Sequence, residues 1–482
     1  MISLSSLFSA LFLAALPLSA HAADPSVTAV FVESFRYKSG VAVSDRQAVD
    51  AAVARAIELS ASHKVRLNFA PGRTYRLQRK LTGKTTDPIF PFIGVKNILV
   101  DGRGAELLLE RYDYVAEIRD SENVHIWNLR TDYAVPNHTQ GTVVSVNATG
   151  VFLVDIDPGY LMPYRENPLH DWANSLSFDA DSRFLKDVNI FMDDVQVVGP
   201  RKVRIIPKAG YEAEARKLKP GYRFAFRAFA EGGKTNFHII NNRNVSFRNV
   251  DVYNTMKIAF TARYNKGNVV FDNVRIMRRP GSNRLIAGLS DSFHMKSNRA
   301  IVRIMNSLVE RTLDDGINLG SMAEVCHRYS EATREIDLRD TGYIGPDTPG
   351  SVPLQPGDTV YAFQFGDGAA KIFLGSATVT SVVPVSKKTR RVRLSAAIPG
   401  ILCLDPGTPE GLGGKFLDQW HATRFFIPQT SNPGFRVLNN VIREKTRNGI
   451  LGKSFGGLVR GNHFENMSGS AIDATNNLMF NE

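Results

Sequence analysis

From about residue 95 onward, apolar and polar residues alternate in short runs, and several of the runs return at a near-constant interval. Asn244-Val-Ser-Phe-Arg-Asn249-Val-Asp-Val252 realigns on Asn268-Val-Val-Phe-Asp-Asn273-Val-Arg-Ile276 after 24 residues. Val302-Arg-Ile-Met-Asn306 repeats the same strand after a longer connection, and Gly434–Asn439 realigns on Gly457–Asn462 after 23 residues. Weaker echoes stand at Asn97–Val100 and Asn123–Ile126. A period of two predicts strands, and recurrence every 20–50 residues marks a repeat architecture. Asparagine at the turns suits tight corners, because it tolerates left-handed backbone and bonds to neighbouring main chain. The expectation is an all-β chain built as a parallel β-helix, a solenoid of stacked strands.

Helical periodicity shows near the start. Ser44-Asp-Arg-Gln47 has the form of a capping box, and Val49, Ala52, Val53 and Ile57 follow at helical spacing. A helix over about 45–61, then Val65–Phe69, the Pro71-Gly72 turn and Thr74–Leu77, predicts an N-terminal cap over residues 23–80. Such a cap covers strand edges that the first coil would leave open. The β-helix is expected over 81–325, with returning coils over 429–482 and no capping helix after Asn476. Two stretches break the rhythm. Residues 150–235 are irregular and rich in Asp, Pro and basic residues, and read as an elaborated loop or side hairpins. Residues 326–428 hold three alternating segments between Gly- and Lys-rich turns, which predicts a small inserted antiparallel β-barrel.

An apolar run from Leu7 to Leu18, ending in Ala20-His21-Ala22, reads as a cleaved signal peptide over residues 1–22. That predicts a secreted or periplasmic protein with no membrane insertion. Two cysteines, Cys326 and Cys403, could pair or stay free; alone they cannot form a structural zinc site. The net charge of +12 suits an anionic polymer or a merely solvated basic surface. The run Lys387-Lys388-Thr389-Arg390-Arg391 reads as a hairpin tip, and no nucleic-acid module is present.

The candidate chemistry lies in two acidic segments, Leu289-Ser-Asp-Ser-Phe-His294 and Thr312-Leu-Asp-Asp-Gly-Ile-Asn318. Asp291 and Asp314 are 23 residues apart, about one coil, so stacking would bring them to one face at roughly 4.8 Å per rung. A glycosidic bond is cleaved by two carboxyls, one protonated and one ionised, and clustered acids push each other's pKa apart. Asp314 and Asp315 would point to opposite faces of a regular strand, so the strand must end or bulge there, helped by Gly316. His294, Asn318, Arg284 and Lys453 are candidate sugar-binding residues; each has an ordinary structural alternative. No metal or organic cofactor is called for, since carboxyls can supply both acid and base.

Arg279-Pro-Gly-Ser-Asn-Arg284, Asp291-Ser-Phe-His294 and Asp314-Asp-Gly-Ile-Asn318 together resemble glycoside hydrolase family 110. That resemblance implies a right-handed β-helix with an inserted barrel and an α-1,3-galactosidase activity. It implies Asp314 as general acid, with Asp291 and Asp315 positioning or deprotonating water. The acidic pair also resembles family 28 polygalacturonases, whose downstream Gly-His-Gly and Arg-Ile-Lys segments are absent. The chain departs from the family 110 pattern at Leu319-Gly320-Ser321 and at Ser297-Asn298-Arg299. The expected function is an inverting glycosidase on an oligo- or polysaccharide. The rivals are a polysaccharide lyase or epimerase on an acidic polymer, and a non-catalytic glycan-binding solenoid; oligomeric state is left open.

Overall fold

The computed structural model describes residues 26–78, 81–82, 85–110, 114–163, 173–227, 235–321, 324–340, 354–365, 371–386, 389–404 and 422–474. The expected leader over 1–22, Lys387, Lys388 and the stretch after Asn476 lie outside the described residues.

The chain is a parallel β-helix. One long sheet runs from Val27–Phe31 through Lys64–Asn68, Lys96–Leu109, Glu122–Tyr133, Arg243–Val252, Asn268–Ile276 and Ile301–Met305 to the C-terminal coils. A second sheet stacks Phe90–Ile93, Ala116–Arg119, Phe237–Ile240, Phe260–Arg263, Phe293–Lys296, Ile317–Gly320, Ile450–Gly452 and Ile472–Asp473. Alternation puts one apolar residue of every pair between the sheets. Phe237, Phe260 and Phe293 stack ring on ring at 4.5 and 5.5 Å, and Phe247 stacks on Phe271 at 5.3 Å. Each ring also meets the other column edge to face, as Phe271 does Phe293 at 5.1 Å, so packing fixes the register of successive coils.

Asparagine ladders hold the corners. Asn123 donates to Asn97 at 2.9 Å and Asn244 to Asn123 at 3.1 Å, all three with φ between 54° and 60°. A buried ladder runs from Asn242 through Asn265 and Asn298 to Asn432, with amide-to-amide bonds of 3.1, 2.8 and 2.8 Å. At the N-terminal end the helix Asp45–Ser60 starts at the expected capping box and lays Ala48, Val49, Ala52, Val53 and Ala56 on the first coil.

Two sequence expectations are corrected. The C-terminal repeat aligns at 22 residues, not 23, because Val437 pairs with Val459 and Asn440 stacks on Asn462. A one-residue slip would turn Val437 and Val459 to opposite faces. Residues 138–227 are not loops with side hairpins. Six strands, His138–Val146, Phe152–Ile156, Lys202–Pro207, Phe191–Gly199, Ala173–Phe178 and Arg223–Arg227, close into a barrel. Its interior is built from single apolar residues such as Val154, Ile205 and Phe224, while Asp193, Asp194 and Gln196 interrupt the alternation of one strand. The basic run does fall at a hairpin: the amides of Val385 and Ser386 donate to the Thr389 carbonyl, and Arg390 and Arg391 lie in the returning strand Thr389–Leu394 of the second barrel. Arg390 is buried against Glu324, and Arg391 holds Asp337 at 2.8 Å.

That second barrel, also six-stranded, is inserted between Glu324 and Phe426. Cys326 and Cys403 are joined by a disulfide across 77 residues of sequence. Among the described residues no helix is long and apolar enough to cross a membrane.

Candidate active site

The acids sit at a corner, not in a strand. Phe293–Lys296 pairs with Ile317–Gly320 so that Phe293 faces Ile317 and His294 faces Asn318, a shift of 24. The amide of Ser292 donates to the carbonyl of Asp315 at 3.1 Å, and Asp315 therefore lies one rung from Asp291. The 23-residue alignment of Asp291 with Asp314 is one residue out, and Asp314 projects beside the column instead. Both strands begin only after the acids, so the alternation rule that would separate Asp314 from Asp315 does not apply at this corner. Gly316 lets the next coil approach closely, since a Cβ there would lie 2.5 Å from the carbonyl oxygen of Gly449.

Asp291, Asp314 and Asp315 each bring a carboxylate oxygen to within 4.8 Å of the other two. The amide of Asp315 donates to Asp291 at 3.1 Å and to Asp314 at 3.0 Å. Asn448 donates its amide to Asp315 at 3.1 Å. Asp291 and Asp315 are buried, whereas the Asp314 side chain is 34% exposed. Burial, then the neighbouring Asp314 charge, raises the Asp315 pKa to about 6.

Lys445 supplies the counter-charge from below. It is fully buried, and its ammonium donates to the Thr312 hydroxyl, to the Thr312 carbonyl at 3.2 Å and to the Asp314 carbonyl. Burial lowers its pKa to about 8, opposed by the three aspartates. Arg447 lies 3.6 Å from Asp314. The trio has the chemistry to hold a divalent cation, and Lys445 and Arg447 already bring positive charge to the same place.

The expected sugar-binding residues divide. Asn318 is committed to the acids: its amide nitrogen lies 3.4 Å from Asp291 and 3.5 Å from Asp315, and its oxygen accepts from Lys296 at 2.6 Å. His294 does turn to the site, with Nδ1 4.0 Å from Asp291, because Asp291 precedes the strand rather than alternating along it. Both ring nitrogens are sealed from water without a hydrogen bond among the described residues. Burial, then the charges of Lys296, Arg263, Lys257 and Lys453, pushes the His294 pKa well below its ordinary value. Lys453 is tied through its main-chain amide to Leu319 at 2.7 Å. Arg284 goes elsewhere: its buried guanidinium donates to Asp132 at 2.6 Å, and Arg279 donates to Asp132 at 2.7 Å. The Arg-Pro-Gly-Ser loop is thus anchored to an earlier coil by ion pairs.

The first barrel walls the site. Arg227 donates to the Leu289 carbonyl at 2.7 Å and Asn174 to the Leu313 carbonyl at 2.7 Å, each just ahead of an acidic residue. Leu176, Phe178 and Ala225 pack with Leu285, Ile286, Leu289 and Leu313. Sequence reasoning missed Arg227, Lys257, Arg263, Lys296, Lys445 and Arg447. For Arg447 a signal existed: Arg447-Asn-Gly-Ile450 realigns on Asp314-Asp-Gly-Ile317.

No protein-family profile matches the chain. Three curated relatives are similar to most of it. Alpha-1,3-galactosidase A of Streptomyces avermitilis is 25% identical, over 78% of this chain and 61% of its own. Alpha-1,3-galactosidase B of Parabacteroides distasonis is 22% identical, over 79% and 61%. Alpha-1,3-galactosidase B of Phocaeicola vulgatus is 24% identical, over 80% and 62%. The chain spans about three-fifths of the length of these relatives. Among solved structures, PfbA, a surface adhesin of Streptococcus pneumoniae, aligns with a TM-score of 0.32 at 11% identity, over 91% of this chain and 62% of that one. The A-module of the mannuronan C-5 epimerase AlgE4 of Azotobacter vinelandii aligns with a TM-score of 0.23 at 9% identity, over 93% and 98%.

Proposed function

We propose that the protein is an exported glycoside hydrolase that cleaves a terminal α-linked galactoside with inversion at the anomeric carbon. The observation that carries this reading is the meeting of Asp291, Asp314 and Asp315 from two coils within 4.8 Å. The names of the curated relatives supply the sugar. Export rests on the segment over residues 1–22, and N-terminal sequencing of the released protein should begin at Ala23.

Three clustered acids do not all ionise together at mildly acidic pH, so the trio titrates as a unit and keeps a proton up to about pH 6. In this reading Asp314, the exposed member, gives a proton to the leaving oxygen. Asp291 deprotonates the water, and Asp315, buried one rung away and holding its proton to about pH 6, positions it. Asn318 and the main-chain amides of Asp315 and Asn448 keep those carboxylates oriented. Burial and the neighbouring cations push the His294 pKa well below its ordinary value, which disfavours it as the acid. The trio is tighter than the roughly 6.5–9.5 Å usual for an acid and base across a water, which makes stereochemistry the informative test. Aryl α-galactosides and α-1,3-linked galactobiose should be hydrolysed, and NMR of the first product should show the β-anomer. An α-anomer as the first product would overturn inversion, and ultraviolet-absorbing unsaturated products would favour a lyase instead.

A further inference from the structure

A second group of charged residues lies beside the acids. On the outward face of the second sheet, Arg263 and Lys296 are partners on adjacent strands, as are Thr261 and His294, then His294 and Asn318. Like charges at directly opposed positions repel across a rung of roughly 4.8 Å. Lys257 stands at the corner before Arg263, where its carbonyl accepts from the Thr255 hydroxyl at 2.9 Å and its ammonium has no hydrogen bond or ion pair among the described residues. Burial, then the charges of Arg227 and Arg263, lowers its pKa. Lys453 joins from the next coil, where its amide bonds to Leu319, the rung partner of Met295. At the centre is His294, whose ring nitrogens have no hydrogen bond among the described residues. The group adjoins the acids directly, since Lys296 bonds to Asn318 and His294 is 4.0 Å from Asp291. A concentration of positive charge of this kind is relieved by an anion held between its members.

We propose that Lys257, Arg263, Lys296 and Lys453 form an anion-accepting subsite around His294, and that the polymer acted on carries a sulfate or carboxylate group next to the cleaved galactoside. This deepens the hydrolase reading and rests on it for the position of the cleaved bond. The net charge of +12 then also has a use, drawing a polyanionic chain toward the site at low salt.

The test is titration calorimetry on the hydrolysis-silenced Asp314→Asn protein with three oligosaccharides: a neutral α-linked galactoside, its O-sulfated form and a uronate-bearing form. At low salt, at least one anionic form should bind roughly tenfold more tightly than the neutral one, the worth of one charge-assisted hydrogen bond. High salt should erase much of that ratio. Lys257→Met and Arg263→Met should each move it toward one, and the preferred anion tells sulfate from carboxylate. Equal affinity for all three sugars, no binding of either anionic form, or an unchanged ratio in both variants would overturn the subsite. Because binding is read without turnover, a parent protein that cleaves none of the three sugars, beside an Asp314→Asn variant that keeps the preference, would sink the hydrolase and leave the subsite standing.

Discussion

The barrel of residues 138–227 meets the coils at the acidic corner, whereas the barrel of residues 324–426 meets them at Ile240 and Tyr264. Both have six strands. The first sends Leu176 and Phe178 under Leu289 and Leu313, and bonds the main chain just ahead of Asp291 and Asp314. The second keeps most of its apolar residues to itself and is closed by its own disulfide. One insertion is part of the wall of the site; the other is a self-contained unit hung on the solenoid. Damage to the first should therefore reach turnover, and damage to the second should stop at stability.

The largest effect expected is on the second barrel. Replacing Cys326 and Cys403 together by Ala removes a cross-link over 77 residues, which costs about 4 kcal/mol in the chain-entropy picture. Differential scanning calorimetry should show one transition falling while turnover stays within about twofold, since the cross-link does not touch the acidic corner.

A matched pair sharpens the contrast. Leu176→Ala and Leu338→Ala each empty a fully buried position, one in each barrel, at a cost of about 3 kcal/mol. Denaturant midpoints should drop alike. Turnover should fall at least roughly a hundredfold only for Leu176→Ala, because small displacements of reacting groups cost that much. Equal activities in the two variants would remove the distinction between the barrels.

The acids carry a cost of their own. The folded-state pKa of Asp315, about 6, lies above its ordinary value of 3.8, so the fold favours the protonated form. Its contribution to stability is complete below about pH 3.8 and is lost as pH rises through about 6. Asp315→Asn should therefore be more stable than the parent at pH 8, by about 3 kcal/mol, with the gain vanishing near pH 3.5. Activity of the parent should decline above about pH 6 as the trio loses its proton. The smallest effect is Asn174→Ala, which leaves the Leu313 carbonyl without its 2.7 Å bond. It should cost about 1 kcal/mol and lower turnover several-fold through the first barrel alone.

The solenoid was legible because its signal is redundant: Val245, Val269 and Val302 occupy the same rung position in three coils, and Asn97, Asn123 and Asn244 the same corner. The acids were legible because they flank such strands. Their exact pairing was not, since Asp291 and Asp315 lie outside the strands, where alternation says nothing. The first barrel escaped notice because its apolar positions are few and acidic residues interrupt them. Arg284 misled because an arginine in a turn before the acids looks available until Asp132, 152 residues earlier, is seen to hold it. Lys445 was hidden by the inserted second barrel, which separates it by 133 residues from the Thr312 hydroxyl it bonds.

Whether a lone acid and an acidic doublet on neighbouring coils work as one hydrolytic centre is tested most directly with purified Asp314→Asn on an activated α-galactoside. The account predicts a turnover at least a thousandfold below the parent, roughly the loss of a general acid, with an unchanged circular dichroism spectrum. A correctly folded variant that keeps its rate to within tenfold would contradict it.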